Sequence, residues 1–422
     1  MKLQLLLTGN ELMSGHTVDS NSAMIAELLS NEGIVVQRKV TLGDDFSELL
    51  KELESISQSS DVLIVNGGLG PTIDDLTAQA LSQLTGRPLT EHAQALKHLT
   101  QWCTNRKLAI NESNLKQAIL PEGVDIIPNP TGSAVGFSLE YNQCLILCTP
   151  GVPSELLLMM EQSIVGLIAR RFPNSETHST IRFQTFGMGE SSLQELINSQ
   201  YTNWPQEVEL GFRAGMPLLE VKLTIRSDTH SDIQKECYRR MQQLIGHYII
   251  GENSATLATS VIDLLNENNS KLTTAESCTG GLIAASITEN AGASAVFEAG
   301  FVTYSNAIKE SVINVDKRAL EEQGAVSEVV ARQMVQGAID RSGSDYAIAV
   351  TGIAGPDGGS AEKPVGTVWV AWGTSEFVKT RRLLLPGKRR WFQQMVAAIT
   401  LDLLRRELLS IEEEPRYLRR YQ

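Results

Sequence analysis

"DVLIVNGGLGPTIDDLT", residues 61–77, joins an apolar run to a cluster of glycines and then to a helix-like segment. A short apolar run bounded by glycines predicts a buried β-strand. The glycines allow backbone N–H groups to approach a phosphate at the end of that strand. No Lys-Ser or Lys-Thr pair follows the last glycine, so the loop is not a P-loop. The stretch therefore predicts a strand, a loop suited to a phosphate and a helix, in that order.

Strand and helix patterns alternate on both sides of this stretch. Strand patterns lie at "LQLLLTG" and "IVVQRKVTL", and helical patterns lie at 21–29 and 46–56. Such alternation predicts an α/β domain with parallel strands and crossover helices, whose strand-end loops share one edge of the sheet. The loops that fit this edge are 8–15, 66–77 and 148–155. A helical run then closes a first domain at 1–172.

The remainder of the chain divides into a linker and two further domains. "PNSETHST", at 173–180, is polar and typical of a linker. Residues 173–250 show strand, helix, strand pair and helix, which predicts a small α+β domain without a catalytic cluster. We interpret it as a spacer or a dimerisation module. Residues 251–422 begin with an amphipathic helix and alternate strands with helices again, so they predict a second α/β domain.

Composition and charge narrow the classes of function. The chain has 422 residues, of which 42% are hydrophobic and 20% charged, as in average globular proteins. Its formal net charge of -13 argues against a general nucleic-acid binder, which needs a cationic face. No run approaches the roughly 20 apolar residues of a membrane helix, and the first residues read as a strand instead of a secretory signal. We expect a cytoplasmic protein that holds any anionic substrate locally.

The cysteines indicate neither a disulfide framework nor a structural zinc site. There are five, widely scattered, and the pair Cys144 and Cys148 has no second Cys/His pair beside it. On a strand these two positions share a face, so we interpret them as small core residues.

A second informative stretch, "LTTAESCTGGLIAAS" at 272–286, places Ser277 and Cys278 between a strand and two glycines. These residues could cap the next helix or supply a nucleophile. All six histidines precede residue 251, so this domain contains no imidazole base. The residue types that remain as a base are lysine and tyrosine, because a desolvated lysine can lose its proton near neutral pH. "GFVTYSNAIKESV" offers Tyr304 and Lys309, and the alternative for Lys309 is a solvated surface charge. We therefore favour Ser277 as the nucleophile and expect Cys278 to turn into the core.

Two further segments of this domain suit an anionic ligand. "TGIAGPDGGSAEKPVGTVW" contains five glycines and two prolines, which predicts a long shaped loop between strands. "PGKRRWF" places Lys388, Arg389 and Arg390 ahead of the last helix, where guanidinium groups and helix N–H groups can bind a phosphate. The alternative for the basic segment is a solvated turn.

Carboxylates accumulate at the strand-end edge of the first domain. Asp74 and Asp75 could be the acidic first turn of a helix. Glu11, Asp19 and Asp44 lie next to other strand or helix ends at the same edge. Carboxylates beside a phosphate-binding loop are what a divalent ion bridging a pyrophosphate requires.

Five motifs in order make the carboxyl-terminal domain resemble the corresponding domain of the CinA (competence/damage-inducible) family and the nicotinamide mononucleotide amidohydrolases: "TAESCTGG", "VTYSN" with its lysine, "GAVSE", "VTGIAGPDGG" and "EKPVGTVW". The resemblance implies hydrolysis of nicotinamide mononucleotide to nicotinate mononucleotide and ammonia, without a cofactor or metal. It also implies that Ser277 is the nucleophile, Lys309 its base and Tyr304 a proton-relay partner. Residues implied to contact substrate are Thr351, Gly352 and, at the phosphate, Arg389.

The chemistry of amide hydrolysis adds one hypothesis, because the tetrahedral intermediate needs an oxyanion hole. Our candidates are the backbone N–H groups of Thr279, Gly280 and Gly281. Lys388 is a departure from the family, which often has an acidic residue at this position.

The amino-terminal domain resembles molybdopterin-binding domains, and more closely the CinA amino-terminal domain, through "TGNEL", "VDSNS", "LGDD", "GGLGPTIDDLT", "NPTGSAVGF" and "TPGVPSE". The resemblance implies a three-layer α/β fold, a homodimer and hydrolysis of ADP-ribose to AMP and ribose 5-phosphate with Mg²⁺, Mn²⁺ or Co²⁺. Its implied metal ligands are Glu11, Asp44 and Asp75. Its implied substrate contacts are Gly67, Gly68, Gly70, Thr72, Gly132 and Ser133. Ile73 replaces a residue that is polar in many relatives.

Three functions follow as hypotheses. The first is a bifunctional hydrolase of pyridine-nucleotide recycling. The second is a deamidase whose amino-terminal domain binds a nucleotide or a pterin without turnover. The third is an adaptor in competence or recombination, for which the negative charge argues against direct DNA contact.

Overall fold

A computed structural model describes residues 1–173, 179–201 and 203–421. Most of the predicted linker, residues 174–178, lies outside the described residues. The chain forms two compact units: residues 1–179 with 226–228, and residues 180–225 with 229–422. Within the described residues, no helix is both long and apolar enough to cross a membrane.

The first unit is built on a mixed sheet of six strands in the order β2-β1-β3-β8-β7-β6. A short pair, β4 and β5, lies outside it. The strands of the unit are β1 (Leu3–Thr8), β2 (Val36–Leu42), β3 (Val62–Asn66), β4 (Leu89–Glu91), β5 (Ile119–Pro121), β6 (Asp125–Ile127), β7 (Gly136–Tyr141) and β8 (Cys144–Thr149). Its helices are α1 (Asn10–Met13), α2 (Asn21–Asn31), α3 (Phe46–Ser57), α4 (Thr77–Thr85), α5 (Ala93–Asn105), α6 (Glu112–Leu115), α7 (Pro153–Met159) and α8 (Val165–Arg171).

Helices cover both faces of this sheet. Leu49 and Leu53 of α3 pack with one face, and Ile25 and Leu29 of α2 pack with the other. Every residue of β3 is buried, as its continuous apolar run predicts for a central strand. The predicted three-layer α/β class is confirmed.

The direction of the last strands corrects the expectation of an all-parallel sheet. Strands β1, β2, β3 and β8 are parallel, whereas β7 is antiparallel to both β8 and β6. Asn142 and Gln143, the two residues between β7 and β8, have φ of 53° and 63°. Two residues in the left-handed region form the tight turn of a hairpin, which forces the strands to run in opposite directions.

The second unit contains two sheets, with orders β10-β11-β9-β12 and β14-β13-β15-β16-β17. Its strands are β9 (Ser179–Thr185), β10 (Glu209–Gly215), β11 (Leu218–Ile225), β12 (Ile249–Glu252), β13 (Leu272–Glu276), β14 (Phe297–Val302), β15 (Tyr346–Gly352), β16 (Thr367–Gly373) and β17 (Val378–Leu384). Its helices are α9 (Glu190–Gln200), α10 (Ser231–Ile245), α11 (Leu257–Glu267), α12 (Leu282–Thr288), α13 (Asn306–Ile313), α14 (Lys317–Gln323), α15 (Glu328–Ser342), α16 (Arg389–Leu408) and α17 (Arg416–Arg420).

The two sheets of this unit are joined by a buried charged cluster on α16. Asp402 is fully buried and accepts hydrogen bonds from Arg405, Arg406 and the hydroxyl of Tyr417. The two arginines also donate to the carbonyl of His247, next to β12. Because β12 pairs with β9, the sheet β10-β11-β9-β12 extends to residue 252. The hydrogen bonds to the His247 carbonyl attach this sheet to the carboxyl-terminal helices. The paired charges thus fix α16, whose first turn lies at the candidate active site of this unit.

Candidate active sites

Ser277 directly follows β13, at the end of a central strand. Its N–H donates to the carbonyl of Val350 on the neighbouring strand β15, at 3.1 Å. The Nζ atom of Lys309, in the first turn of α13, donates to the Ser277 Oγ at 3.0 Å and to the carbonyl of Thr303 at 2.7 Å. The structure therefore brings together the two residues that the sequence predicts as nucleophile and base.

Burial makes Lys309 suitable as a base. Its side chain is 1% exposed, and desolvation lowers its pKa from 10.5 to about 8. In the described part of the chain, no carboxylate forms an ion pair with its amine. Such a pair would raise the pKa back toward its ordinary value. A substantial fraction of neutral amine is thus present just above neutral pH.

Glu276 shapes the loop on which Ser277 stands. Its carboxylate is 1% exposed and accepts hydrogen bonds from the N–H groups of Gly281, Ile283 and Ala284, at 3.1, 3.1 and 2.8 Å. These are donors at the start of α12, which would otherwise lack partners. Sequence reasoning missed this residue, although it stands in "TAESCTGG". The signal was an acidic residue a few positions before a helix start.

The same hydrogen bonds correct the hypothesis of three oxyanion donors. The Gly281 N–H is taken by Glu276, and the Gly280 N–H donates to the carbonyl of Ser277 at 3.1 Å. Among the described residues, the Thr279 N–H has no acceptor, so it is the member of the expected set that stays available. Gly280 and Gly281, with φ of 67° and 97°, allow the turn that presents it.

Cys278 lies in the core, as its position beside Ser277 predicts. Its side chain is 4% exposed and belongs to the hydrophobic cluster that includes Ile283 of α12 and Phe392 of α16. Burial raises the pKa of its thiol to about 12, which disfavours the thiolate. Its carbonyl accepts a hydrogen bond from Gln393 at 2.9 Å. The side chain therefore packs and the backbone attaches the loop to α16.

Arg389 and Tyr304 form a pair at the rim of this site. The guanidinium of Arg389 donates to the Tyr304 hydroxyl at 2.8 Å and to the carbonyl of Gly355 at 2.9 Å. Gly355 belongs to the predicted glycine-rich loop. Among the described residues, the Tyr304 hydroxyl has no hydrogen bond to Ser277 or Lys309, so the expected proton-relay contact is absent from this arrangement. Lys388 is exposed at the cap of α16.

Thr351 and Gly352 lie at the end of β15, beside the strand end that carries Ser277. The Thr351 hydroxyl donates to the carbonyl of Ala325 at 2.8 Å. A Cβ at Gly352 would lie 2.8 Å from the carbonyl oxygen of Thr367, so only glycine fits there. Both residues therefore shape the strand end.

In the first unit, the strand-end loops surround a cavity of about 530 Å³. A Cβ at Gly68 would lie 2.3 Å from the Thr77 hydroxyl, and Gly68 has φ of 67°, so the loop needs glycine there. Predicted residues that line the cavity are Glu11, Asp44, Gly67, Gly68, Gly70, Thr72, Asp75 and Ser133. The cavity is thus assembled from the three predicted loops, from the loop that carries Asp44 and from the segment that carries Ser133.

Carboxylates on this cavity repel one another. Partial burial raises the pKa of Asp44, and the negative charges of Asp74, Glu11 and Asp75 raise it further. Asp75 also accepts hydrogen bonds from the N–H and hydroxyl of Thr72, at 2.8 and 2.6 Å. Within the described residues, no three acidic, histidine or cysteine side chains converge closely enough to hold a metal ion.

Four residues of the quoted motifs in the first domain have surroundings that the sequence did not reveal. Gly132 does not line the cavity. Its N–H donates to Asn129, and a Cβ there would lie 2.0 Å from the Glu155 carboxylate. Glu155 lines the cavity and was missed, although it lies in "TPGVPSE". Asp19 accepts from the Ser22 N–H at 2.9 Å, near the start of α2, which is a capping role. Ile73 is 94% exposed.

Comparison with known proteins identifies related chains over the whole length. Residues 254–408 match the model of the CinA C-terminal domain, and residues 4–170 match that of a probable molybdopterin binding domain. A CinA-like protein of Colwellia psychrerythraea is 51% identical over 420 residues, which cover 99% of this chain and 97% of that protein. A CinA-like protein of Shewanella woodyi is 40% identical over 97% of this chain and 96% of its own length.

Among solved structures, the competence/damage inducible protein CihA of Agrobacterium tumefaciens is 43% identical to the aligned part of the chain. The alignment covers 35% of this chain and 91% of that protein, with a TM-score of 0.35.

We predict that Glu276→Gln destabilises the second unit. An amide keeps one acceptor oxygen but turns an NH₂ donor toward backbone N–H groups, so at least one buried hydrogen bond is lost. We expect the free energy of unfolding to fall by about 1–3 kcal/mol, measured by urea unfolding followed through tryptophan fluorescence. Glu289→Gln, an exposed position at the end of α12, is the matched control. Equal stability of the two variants would contradict the capping role.

Proposed function

Because the chain belongs to the CinA family, we propose that its carboxyl-terminal domain is an amidohydrolase that deamidates nicotinamide mononucleotide to nicotinate mononucleotide and ammonia. The observation that carries the proposal is the 3.0 Å hydrogen bond between the Lys309 amine and the Ser277 hydroxyl. A buried amine with a lowered pKa, in contact with a hydroxyl at a strand end, can generate an alkoxide without histidine.

The proposed reaction has two halves. Neutral Lys309 accepts the Ser277 proton while Oγ attacks the carboxamide carbon, and the oxyanion faces the Thr279 N–H. Lys309 then returns the proton to the amide nitrogen, so ammonia leaves and an acyl ester remains on Ser277. Lys309 next removes a proton from water, which attacks the ester carbon. Lys309 then gives that proton to the Ser277 Oγ as the ester bond breaks, so nicotinate mononucleotide leaves and the serine hydroxyl and neutral lysine are restored.

The phosphate end of the substrate would lie at Arg389. Its guanidinium is already oriented by the Gly355 carbonyl and the Tyr304 hydroxyl. We therefore assign Tyr304 a positioning role at this end. A proton relay to Lys309 would require the Tyr304 side chain to leave Arg389.

Replacing each of the adjacent residues separates nucleophile from core. We predict that Ser277→Ala lowers kcat/KM for nicotinamide mononucleotide by at least about 10³-fold, because it removes the attacking atom. Cys278→Ala removes only a packed thiol and should change kcat/KM by no more than about threefold. The measurement is ammonia release by the purified full chain. An inactive Cys278→Ala with an active Ser277→Ala would overturn the mechanism.

The pH dependence reports on Lys309. Since the lysine must be neutral to act as base and its pKa is lowered to about 8, we predict that kcat/KM rises about tenfold per pH unit below pH 8 and levels off above it. Cys278→Ala should retain this profile. A rate that stays constant between about pH 6.5 and 9.5 would exclude Lys309 as the titrating base.

For the first unit we propose a divalent-metal-dependent hydrolysis of ADP-ribose to AMP and ribose 5-phosphate. Support comes from the cavity of about 530 Å³, its glycine loop and the repelling carboxylates that raise the pKa of Asp44. A cation would relieve this repulsion, so the charge of these side chains suits a metal, although among the described residues no three of them converge on one point. Glu11, Asp44 and Asp75 would hold it, and when bound it would neutralise the pyrophosphate.

We predict that AMP forms from ADP-ribose with Mg²⁺, Mn²⁺ or Co²⁺ and not in the presence of a chelator. Asp44→Asn should lower the rate by about tenfold or more, because it removes a proposed ligand. Asp125→Asn, at an exposed position of β6, is the control. Saturable binding of ADP-ribose by calorimetry without AMP formation would support the alternative of a non-catalytic binding domain.

The remaining elements of the proposal rest on the family resemblance. They are a homodimer and a role in pyridine-nucleotide recycling, whereas the cytoplasmic location is proposed because no apolar run in the sequence approaches the length of a membrane helix. The net charge of -13 argues against direct contact with DNA, which makes an adaptor role in competence or recombination the weaker alternative.

A further inference from the structure

The second unit contains a cavity of about 430 Å³ that neither proposed reaction uses. One side comes from the segment after β9 and from the turn between β10 and β11. The other side comes from α16 and the carboxyl-terminal helix α17. The chain at Gly187 has φ of 93°, and a Cβ there would lie 2.8 Å from the ring of Tyr417. Glycine is therefore needed for the close approach that forms this wall.

The charge of this cavity is opposite to that of the chain. Arg416 and Arg420 line it, one helical turn apart on α17, and no acidic side chain is among the described residues that line it. Neither guanidinium has a carboxylate partner within the described ranges. Arg419, between them, pairs with Glu414 at 3.9 Å and does not line the cavity. The Arg420 guanidinium lies over the Tyr421 ring, 5.5 Å from its centroid. In a protein of net charge -13, two guanidinium groups that share one cavity and have no carboxylate partner among the described residues favour an anionic ligand.

The other walls are aromatic. Phe186, Tyr417, Trp391 and Tyr421 line the cavity. Phe186 and Tyr417 pack on each other with ring centroids 5.3 Å apart and are 2% and 5% exposed, so the half-buried rings of Trp391 and Tyr421 are the ones that can contact a ligand. Flat rings bind another flat ring by stacking, and a cavity of a few hundred Å³ has the size of a small-molecule site. We propose that this cavity binds a mononucleotide-sized anion with an aromatic ring, with the phosphate at Arg416 and Arg420.

Helix α16 connects this cavity to the candidate deamidase site. Arg389 and Gln393 hold Tyr304 and the loop of Cys278, whereas Trp391 and Met395 line the cavity. At 3.6 residues per turn, positions two apart face roughly opposite sides of a helix. A ligand against Trp391 therefore contacts the helix that carries the proposed phosphate-binding arginine. This arrangement makes the cavity a regulatory site for deamidation, an inference that rests on the proposed function.

The test uses the full chain and AMP as the probe. We expect AMP to change the fluorescence of Trp391 saturably at concentrations up to millimolar. Adenosine lacks the phosphate and ribose 5-phosphate lacks the ring, so each should bind at least about tenfold more weakly. Arg416→Ala with Arg420→Ala should weaken AMP binding by a similar factor, whereas Arg419→Ala, on the same helix, should not.

Two controls assign the signal to this cavity. Trp391→Phe keeps an aromatic wall, so it should abolish the fluorescence change while calorimetry still detects the AMP binding that the double arginine variant loses. AMP bound in the first unit, as the product proposed there, is common to both variants and cancels in this comparison. Absence of AMP binding, or equal binding by the double arginine variant, would overturn the proposed site. AMP should also change KM for nicotinamide mononucleotide, and should not do so in the double variant. An unchanged KM with AMP bound would overturn the regulatory role. The fluorescence result does not depend on deamidation, so a failure of the proposed reaction can be distinguished from a failure of the proposed binding site.

Discussion

The burial of the Lys309 amine is the constraint on which the carboxyl-terminal site depends. An amine that is 1% exposed needs acceptors inside the protein, and it finds them in the Ser277 hydroxyl and the Thr303 carbonyl. Thr303 is held in turn because its N–H donates to the carbonyl of Glu276. The ends of two neighbouring strands thus fix the lysine, and desolvation by burial lowers its pKa.

The buried carboxylate of Glu276 precedes Ser277 in the chain but does not pair with Lys309. Its oxygens turn away to the first N–H groups of α12, where a carboxylate is stabilised by both hydrogen bonds and the helix dipole. One strand therefore ends in an acid that organises the backbone and a serine that is left for chemistry. Exchanging their positions would direct the carboxylate at Lys309, which would raise the lysine pKa and remove the base.

The sequence predicted those features that depend on local pattern or on residue type. The buried strand β3 followed from its apolar run, and the pairing of Ser277 with Lys309 followed from the position of the histidines and the family motifs. Features that depend on side-chain direction over long sequence separations were not predicted. The bond between Arg389 and Tyr304 joins residues 85 positions apart, and no periodicity encodes it. The hairpin before β8 was missed because Asn142 and Gln143 carry no glycine to mark the turn.

The negative charge of the chain requires any anionic ligand to be held by local means, and the two proposed sites offer different means. In the first, a glycine loop and several carboxylates line the same cavity. This arrangement favours a phosphate only when a cation neutralises the carboxylates. In the second, the cations are covalent parts of the chain: Arg389 on one side of α16, and Arg416 and Arg420 across the cavity on its other side. The proposed phosphate binding in the second unit would therefore use no metal, and its response to metal removal should differ from that of the first.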